Sequence, residues 1–370
     1  MADVRIPSKL LPKDGRFGAG PSKVPESFVK SLVDAAPGFL GTSHRQPPVK
    51  REVARLRHGL RELFSLPDGY EVVIGNGGTT AFWDAAVFGL ISQRAQLANF
   101  GEFGAKFAAA ADKAPFLDAP TVVSAEPGSA AFFQPESGID VYASPHNETS
   151  TGVAIPIPQR ISDDALMMYD GTSAAAGLPV PMSQTDVYYF APQKGLASEG
   201  GLWIALMSPA ALERVERIAG SGRYIPDFFD LTTAVTNSRK DQTYNTPSLT
   251  TIFFAAEQVD TLNRAGGLDA AVARCDASAT TLYHWAETSP VASPFVSDPK
   301  LRSHVVATID FTEEVDAAKV AQILRANGVV DTEPYRKLGR NQLRIGMYPA
   351  VDTEDVAALT GCIDYVVEAL

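Results

Sequence analysis

The sequence predicts an α/β protein with a mainly parallel sheet, and two features of its pattern carry this prediction. Between about residue 70 and residue 260, short apolar runs alternate with stretches of helical pattern. Uninterrupted apolar runs are typical of strands buried on both faces, and their alternation with helices is typical of a parallel sheet. Since crossover connections are right-handed, the loops after these strands should gather at one sheet edge, where α/β proteins bind ligands.

The predicted elements of this region follow one another in a regular order. EVVI predicts the first strand, and GNGG and a helix from about Thr80 to Leu90 follow it. AQLANF predicts the second strand, and AKFAAAAD, after Gly101, predicts a helix of small residues. The further predicted strands are TVVSA, DVYA, ALMMY, DVYYF and LWIALM.

The C-terminal part of the chain predicts a smaller α+β domain. It contains the strand VVATIDF, a helix that Gly328 should end, the strand NQLRIGMY and an amphipathic helix from Thr353 to Leu370. We place the domain boundary in NRAGG, residues 263–267. The expected division is therefore a large domain over residues 15–262 and a small domain over residues 263–370, on which residues 1–14 should pack.

The overall composition excludes several classes of function. Acidic residues outnumber basic ones by 43 to 32 and give a net charge of −11, whereas a nucleic-acid surface requires clustered Lys and Arg. The two distant cysteines, Cys275 and Cys362, provide neither a disulfide framework nor the spacing of a metal site. The first residues lack a signal-peptide core, and no apolar run approaches a membrane span. We therefore expect a cytoplasmic protein with no nucleic-acid, membrane or metal partner.

The loop GNGGTTAFWDAA places glycines after a strand and hydroxyl groups at the start of a helix. Gly77 and Gly78 would let backbone N–H groups approach an anion, and the helix dipole with Thr79 and Thr80 would complete a phosphate cradle. The loop is not a Walker A motif, because the Gly-Lys-Ser/Thr ending is absent. A plain tight turn explains the glycines equally well.

Asp170 and Lys194 each follow a predicted strand and stand 24 positions apart, which is one strand-to-strand interval. Their side chains should therefore meet at the same edge of the sheet. Taken alone, Asp170 is better explained as a helix cap. A lysine just past a buried strand is usually a solvated end residue, but small residues follow Lys194 and leave room around it.

A lysine, a carboxylate and a phosphate cradle at one sheet edge are the groups that pyridoxal phosphate requires. The lysine forms a Schiff base, the carboxylate keeps the pyridine nitrogen protonated, and the cradle holds the phosphate. The freed lysine amine can act as general base toward the Cα proton of a bound amino acid. The combination of Asp170, Lys194 and the Gly78-Thr79 turn favours this interpretation over a solvated lysine.

Three further loops offer contacts of the kind that this cofactor needs. Phe103 in FGEFGAKF could stack on the ring, although a core position is equally common for phenylalanine. Thr149 in HNETSTG could reach the ring hydroxyl or the phosphate. Asn245 and Thr246 precede Pro247, a favoured first helical residue, which suggests a second anion-binding helix start or a simple N-cap.

Seven motifs spread along the whole chain carry a resemblance to a known family: DGRFGAGPSKV, GTSHRQPPVK, ELFSLPDGYEVVIGNGG, HNETSTGV, YYFAPQKGLASEGGLW, DQTYNTPS and RANGVVDTEPYRKLGRNQLRIGMYPAV. The chain resembles the phosphoserine aminotransferases, in their actinobacterial (mycobacterial-like) branch. The resemblance implies a class-V, fold-type I pyridoxal-phosphate enzyme with a seven-stranded sheet, and a homodimer with active sites at the subunit interface. It also implies amino transfer between glutamate/2-oxoglutarate and phosphoserine/3-phosphohydroxypyruvate in serine biosynthesis.

The resemblance assigns roles to residues by position. It implies that Lys194 forms the Schiff base and that Asp170 partners the pyridine nitrogen. The other cofactor contacts that it implies are Gly78, Thr79, Thr80, Phe103, Thr149 and Gln193, with Asn245 and Thr246 from the neighbouring subunit. The substrate contacts that it implies are His44 and Arg45 across the interface, Arg336, and Arg344 for the α-carboxylate.

Two departures from the family pattern concern the distal anion of the substrate. Thr79 stands where many members carry arginine, and Tyr335 replaces the histidine before Arg336, which makes nearby Lys337 and Arg340 candidate substitutes or solvated charges. Two alternatives to a phosphoserine transaminase stay open: an aminotransferase for serine, alanine or glyoxylate, and a non-catalytic anion- or nucleotide-binding regulator. A second substrate, the 4-phosphohydroxy-threonine of pyridoxine biosynthesis, also stays open.

Overall fold

A computed structural model describes residues 4–370, and its largest element is a seven-stranded sheet. The strands lie in the order β1-β9-β8-β7-β4-β2-β3. They are β1 (Glu71–Asn76), β2 (Ala95–Asn99), β3 (Thr121–Ser124), β4 (Val141–Pro145), β7 (Leu166–Asp170), β8 (Val187–Phe190) and β9 (Leu202–Met207). A separate short pair consists of β5 (Asn147–Glu148) and β6 (Val153–Ala154).

The sheet is parallel except at one strand. β9 runs antiparallel to both of its neighbours, β1 and β8, while β8, β7, β4, β2 and β3 form parallel pairs. The predicted fold class, an α/β protein with a mainly parallel sheet, is therefore confirmed. The reversal of β9 was not predicted, because a continuous apolar run carries no information about strand direction.

Helices cover both faces of this sheet, which explains why β7, β8 and β9 are buried along their whole length. Successive side chains of a strand point to opposite faces. Met168 and Val187 accordingly pack with the helices α3 (Gly78–Gly89), α4 (Glu102–Asp112), α5 (Pro209–Ala219) and α6 (Leu231–Ser238). Met167 and Tyr188 pack on the other face, with α1 (Glu26–Phe39), α2 (Pro47–Leu63) and α7 (Leu249–Arg264).

The C-terminal part of the chain builds a second, antiparallel sheet of three strands in the order β10-β11-β12. Its elements are α8 (Gly267–Thr288), β10 (Ala292–Pro294), β11 (Val306–Phe311), α9 (Ala317–Ala326), β12 (Gln342–Gly346) and α10 (Thr353–Glu368). The helices bury their apolar sides on this sheet, and Ile6 and Phe17 join the same cluster. The division into two domains at residues 263–267 stays a proposal, and the break between α7 and α8 falls within that segment.

The N-terminal segment lies against the C-terminal elements. The Ile6 amide donates to Asn327 Oδ1 at 3.0 Å, and the Lys13 amide donates to Asp355 Oδ1 at 2.7 Å. Residues 1–3 of the segment that was expected to pack there lie outside the described residues. Among residues 4–370, no helix is both long enough and apolar enough to cross a membrane.

The same segment continues toward the main sheet. The Gly346 amide donates to the Phe17 carbonyl at 2.7 Å, and the Tyr348 hydroxyl donates to the Ala19 carbonyl at 2.8 Å. The Ser22 amide then donates to the Gln193 carbonyl at 2.8 Å. Residues 17–22 therefore bridge the three-stranded sheet and the loop that follows β8.

Candidate active site

Asp170 and Lys194 lie at the carboxyl edge of the main sheet. Asp170 is the last residue of β7 and is paired in register with Tyr189 of the neighbouring parallel strand β8. Lys194 lies in the loop that connects β8 to the reversed strand β9. Each residue is only 7% exposed. The structure thus brings together a buried carboxylate and a buried amine, as the spacing of the two residues along the chain suggests.

The Lys194 amine has few partners in this buried position. Its Nζ donates to Thr149 Oγ1 at 3.0 Å and lies 5.5 Å from the centre of the Phe103 ring. Burial lowers the pKa of Lys194 to about 8, while the charges of Asp170 and Glu148 oppose the shift and that of Arg344 adds to it. The amine is therefore neutral in a minor fraction of molecules near pH 7, a far larger fraction than for an exposed lysine, and the neutral form is a nucleophile and a base.

Gly20 provides room beside the Lys194 side chain, and Gly195 lets the following backbone pass close to Ala175. A Cβ on Gly20, which has φ of 146°, would lie 2.5 Å from Lys194 Cε, and a Cβ on Gly195 would overlap the Ala175 carbonyl. Gly20 was not predicted as a site residue. Its motif, Gly-Ala-Gly-Pro, was noted only as part of the family resemblance, and nothing local indicates that it contacts a residue so far along the chain.

Asp170 is held by its own loop rather than by a basic residue. Its Oδ1 accepts a hydrogen bond of 2.8 Å from the Thr172 amide, and turns rather than a helix follow it. No cation of residues 4–370 forms an ion pair with it. Burial raises the pKa of Asp170, and the Thr172 hydrogen bonds and the Lys194 charge lower it in part. The carboxylate is thus available to a cationic partner at the sheet edge.

The glycine turn lies at the start of α3. Gly77 and Gly78 have φ of 109° and 72°, and no side chain caps the helix. The first amides of α3 are therefore open to an anion. The Thr79 hydroxyl lies 2.7 Å from the Thr172 hydroxyl and so connects this turn to the Asp170 loop, and Thr80 follows it in the first turn of the helix.

Thr149 connects Lys194 to the three-stranded sheet. Its hydroxyl donates to Ser173 Oγ at 2.8 Å, and its carbonyl accepts from Arg344 Nη1 at 3.2 Å. The Arg344 guanidinium also lies 5.3 Å from the centre of the Tyr335 ring, which in turn lies 6.4 Å from the Phe103 ring. Arg344, the predicted α-carboxylate ligand, is thus at the same cleft as Lys194.

A second group of predicted residues lies together at a different place. Thr246 Oγ1 is 3.2 Å from His44 Nδ1, and Arg45 donates to Gln242 Oε1 at 3.3 Å. Asn245 is held by a hydrogen bond from Thr243 to its carbonyl, at 2.5 Å. Within residues 4–370, no hydrogen bond or ring contact joins this group to Lys194, Asp170 or Thr149.

The cations near Tyr335 differ in their surroundings. Arg336 is exposed. Lys337 forms an ion pair of 2.5 Å with Glu102, and Arg340 pairs with Asp310 at 2.5 Å and lies over the Phe295 ring. Lys337 and Arg340 are therefore paired with acids, whereas Arg336 forms no ion pair within residues 4–370.

The residues of the cleft fit pyridoxal phosphate, because several of their buried polar atoms have no partner. Among residues 4–370, Ser22 Oγ, Asn147 Oδ1, Gln193 Oε1 and Arg344 Nε make no hydrogen bond although they are shielded from solvent. Buried polar groups rarely stay unpaired. Gln193 is next to Lys194 in sequence and Arg344 contacts Thr149, so a polar ligand in the cleft could provide partners for these two side chains.

Comparison with known proteins agrees with this description. The Aminotransferase class-V family matches residues 136–359. The phosphoserine aminotransferase of Nocardioides sp. is 60% identical over 370 residues, which cover 99% of each chain. A relative from Mycolicibacterium paratuberculosis with the same family name is also 60% identical, over 372 residues and the full length of both chains.

Solved structures share the fold at lower identity. The phosphoserine aminotransferase of Cytophaga hutchinsonii superposes with a TM-score of 0.86 at 21% identity and covers 95% of this chain and 99% of its own. An alanine–glyoxylate aminotransferase from Nostoc sp. superposes with a TM-score of 0.79 at 20% identity, covering 99% and 97%. At such identities the superpositions establish the fold alone. The match over residues 136–359, together with relatives 60% identical along the whole length, shows that the chain belongs to the class-V aminotransferases, in the family of phosphoserine aminotransferases.

Proposed function

We propose that the protein is a phosphoserine transaminase, which transfers an amino group reversibly between L-glutamate/2-oxoglutarate and 3-phosphohydroxypyruvate/O-phospho-L-serine. The observation that supports this most strongly is the buried Lys194 amine beside the buried Asp170 carboxylate, in a chain 60% identical to phosphoserine aminotransferases. This activity would place the protein in serine biosynthesis. Amino transfer to the 4-phosphohydroxy-threonine skeleton of pyridoxine biosynthesis is a further proposed activity of the same site.

Pyridoxal 5′-phosphate would be held by residues from several loops. Lys194 would bind it covalently, Asp170 its ring nitrogen, Phe103 its ring face and Thr149 its ring hydroxyl. The open amides at Gly78 and Thr79 and the Thr80 hydroxyl would hold its phosphate, and Gln193 would contact the edge of its ring. When bound, the cofactor supplies an electron sink that makes the Cα proton of an amino acid removable.

The chain's own groups would then handle the proton and the substrate. The Lys194 amine, whose pKa lies near 8 because of burial, can take a proton at Nζ and return it. The Thr149 hydroxyl orients this amine through its 3.0 Å hydrogen bond. Arg344, fixed by the Thr149 carbonyl and the Tyr335 ring, would bind the α-carboxylate with its planar fork of donors.

We infer further that two copies of the chain share each active site. His44, Arg45, Asn245 and Thr246 form a group without contact to Lys194 in their own chain, and His44 Nε2 is buried without a hydrogen-bond partner among the described residues. In a homodimer these residues would reach the partner's site. His44 and Arg45, with Arg336, would bind the distal anion, and Asn245 and Thr246 would bind the cofactor phosphate.

Visible absorption tests this proposal directly. The purified protein, loaded with pyridoxal phosphate, should be yellow, and glutamate and phosphoserine should each bleach the band in a single turnover. Serine and alanine should do so far more slowly, because they have no distal anion. Equal bleaching by all four would favour an aminotransferase of the serine or alanine–glyoxylate kind. A protein that stays colourless would favour a regulator.

Lys194→Ala provides the matched control for covalent attachment. The variant should retain the fold, because Lys194 lies in a loop at the sheet edge, but it should lose turnover. Borohydride reduction should fix the cofactor to the wild-type protein and not to the variant, as mass spectrometry would show. Wild-type transamination by the variant would refute the role of Lys194.

A further inference from the structure

Glu148 is a fully buried acid for which the proposed amino transfer has no role. Its side chain is 0% exposed. Within residues 4–370 no Lys or Arg forms an ion pair with it. Acids are rarely buried without a cation, so the hydrogen bonds that hold Glu148 decide what it does.

Four donors converge on the Glu148 carboxylate. Oε2 accepts from the Phe103 amide at 2.9 Å and from the Gly104 amide at 3.1 Å. Oε1 accepts from the Ser150 amide at 3.1 Å and from the Ser150 hydroxyl at 2.7 Å. Each oxygen thus faces two donors, so a proton on the carboxyl group would be placed against a donor instead of an acceptor. Burial raises the pKa of Glu148 above its ordinary value, and these hydrogen bonds oppose the shift. Three of the four donors are backbone amides, which cannot accept a proton from the carboxyl group, and this arrangement favours the ionised form.

These bonds join two elements that approach Lys194 from different directions. Phe103 and Gly104 are in the first turn of α4, where unpaired amides and the helix dipole favour a negative charge. Glu148 immediately precedes Thr149, the hydrogen-bond partner of Lys194. The two contacts of the Lys194 amine, the Thr149 hydroxyl and the Phe103 ring, are therefore fixed to each other through one carboxylate.

The sequence around α4 is adapted to this side chain. Gly101, before α4, has φ of 170°, an extended conformation that any residue adopts, so its backbone does not require glycine. A Cβ at this position, however, would overlap Glu148 Cγ and lie 2.6 Å from its Cδ. The glycine is thus explained by the space that the Glu148 carboxylate occupies.

We propose that Glu148 is a positioning residue of the active site, whose carboxylate fixes the Phe103 ring and the Thr149 hydroxyl relative to the Lys194 amine. This inference rests on the proposed function, since the two contacts matter through the cofactor that they would orient. Glu148 itself touches neither cofactor nor substrate. Its removal should therefore change the geometry of cofactor binding and the chemical step. Because Arg344 is held through the Thr149 carbonyl, the binding of substrate carboxylates should also weaken, but by a smaller factor.

Glu148→Gln tests the proposal, because the amide keeps the size of the side chain but turns one acceptor oxygen into a donor. The loaded variant should show a visible circular dichroism band at most half as intense as that of the wild type, and about tenfold weaker affinity for pyridoxal phosphate. The value of kcat should fall about 10- to 100-fold, the loss typical of a misplaced reacting group, with KM for phosphoserine changed less than threefold.

Glu136→Gln is the matched control. Glu136 also accepts hydrogen bonds from a hydroxyl and an amide, Thr121 Oγ1 and Gln96 Nε2, both at 3.0 Å. Unlike Glu148 it pairs with an arginine, Arg94, at 2.7 Å, and it forms no hydrogen bond with α4 or Thr149. This variant should keep the wild-type dichroism, affinity and kcat. If dichroism, affinity and kcat fell alike in both variants, the cause would be a general loss of carboxylate hydrogen bonds, and the proposal would be overturned.

Ser150→Ala covers the case in which Glu148→Gln does not fold. It removes one of the four donors and should shift dichroism and cofactor affinity in the same direction by a smaller amount, about twofold to threefold. Wild-type dichroism and affinity in folded Glu148→Gln, or in Ser150→Ala, would overturn the positioning role. A wild-type protein that binds no pyridoxal phosphate would instead reject the proposed function.

Discussion

The lowered pKa of Lys194 predicts a distinct pH dependence of folding stability. In the cofactor-free protein the pKa is about 8, against an ordinary value of 10.5 for an exposed lysine, and burial is the main cause. The folded protein therefore binds this proton less tightly than the unfolded chain does. Stability must then rise as pH increases from about 8 to about 10.5, as the folded protein no longer carries a buried charge.

The size of the effect follows from the difference between the pKa values of the folded and unfolded chain. Since a tenfold change in proton affinity corresponds to about 1.4 kcal/mol, the buried ammonium destabilises the cofactor-free protein by about 3 kcal/mol at pH 7. Lys194→Met keeps a long unbranched side chain, one atom shorter than that of lysine, and removes the charge. The variant should therefore be more stable than the wild type at pH 7, and this advantage should shrink by most of that amount at pH 10.

Urea unfolding of both proteins at several pH values between 7 and 10 measures this difference. Titrating groups far from Lys194 are common to the two chains, so their contributions cancel in the difference between the free energies of unfolding. Asp170 and Glu148, the acids that favour the charged amine, are unchanged in the variant. A difference that stays constant from pH 7 to pH 10 would mean that the amine keeps its ordinary pKa, and the argument for a neutral Lys194 would be wrong.

Four further predictions concern the site. Asp170→Asn keeps the shape of the side chain but removes the charge that would hold the proton on the ring nitrogen. The glutamate half-reaction, followed by stopped flow, should therefore slow by orders of magnitude, at about 1.4 kcal/mol of barrier per tenfold. An unchanged rate would mean that Asp170 only stabilises its turn. Arg45→Ala should lower kcat/KM for phosphoserine about 10- to 100-fold, since a charge-assisted bond contributes about 1.5–3 kcal/mol, and should spare alanine. Mixed dimers of Arg45→Ala with Lys194→Ala should regain part of the activity, and verified mixed dimers without any would count against a shared site. Gly20→Ala should displace the Lys194 side chain and weaken cofactor retention in a dialysis assay, and full retention would show that the loop adapts.

The sequence was most informative where chemistry depends on neighbouring parallel strands. Asp170 and Lys194 end two consecutive buried runs, and parallel strands bring such ends to one edge whatever lies between them. The glycine turn before α3 was recognisable for the same reason, because its residues are contiguous. The local hydrophobic pattern and the connection rules for parallel strands were therefore enough to predict that Asp170, Lys194 and the glycine turn lie at one edge of the sheet.

Contacts between distant parts of the chain could not be predicted in this way. The contacts of Gly20 with Lys194 and of Arg344 with Thr149 depend on how the three-stranded sheet packs against the large sheet. The local hydrophobic periodicity of the sequence does not encode this packing. Arg344 was assigned only through family resemblance. Glu148, in HNETSTG, gives no local signal of its role, because its partners, Phe103 and Gly104, lie on another element and its carboxylate binds backbone amides.

The N-terminal bridge has a consequence for how the protein is made. Residues 17–22 leave the ribosome early, yet their partners include β12, and the Tyr348 hydroxyl meets the Ala19 carbonyl across 329 positions of sequence. The main sheet and the Lys194 loop can fold during translation, since domains generally fold as units. The Ser22 amide can then bind the Gln193 carbonyl, but the bonds of the Phe17 and Ala19 carbonyls form only after β12 has been synthesised. The segment that carries Gly20 is therefore held at both ends only when elongation is almost complete.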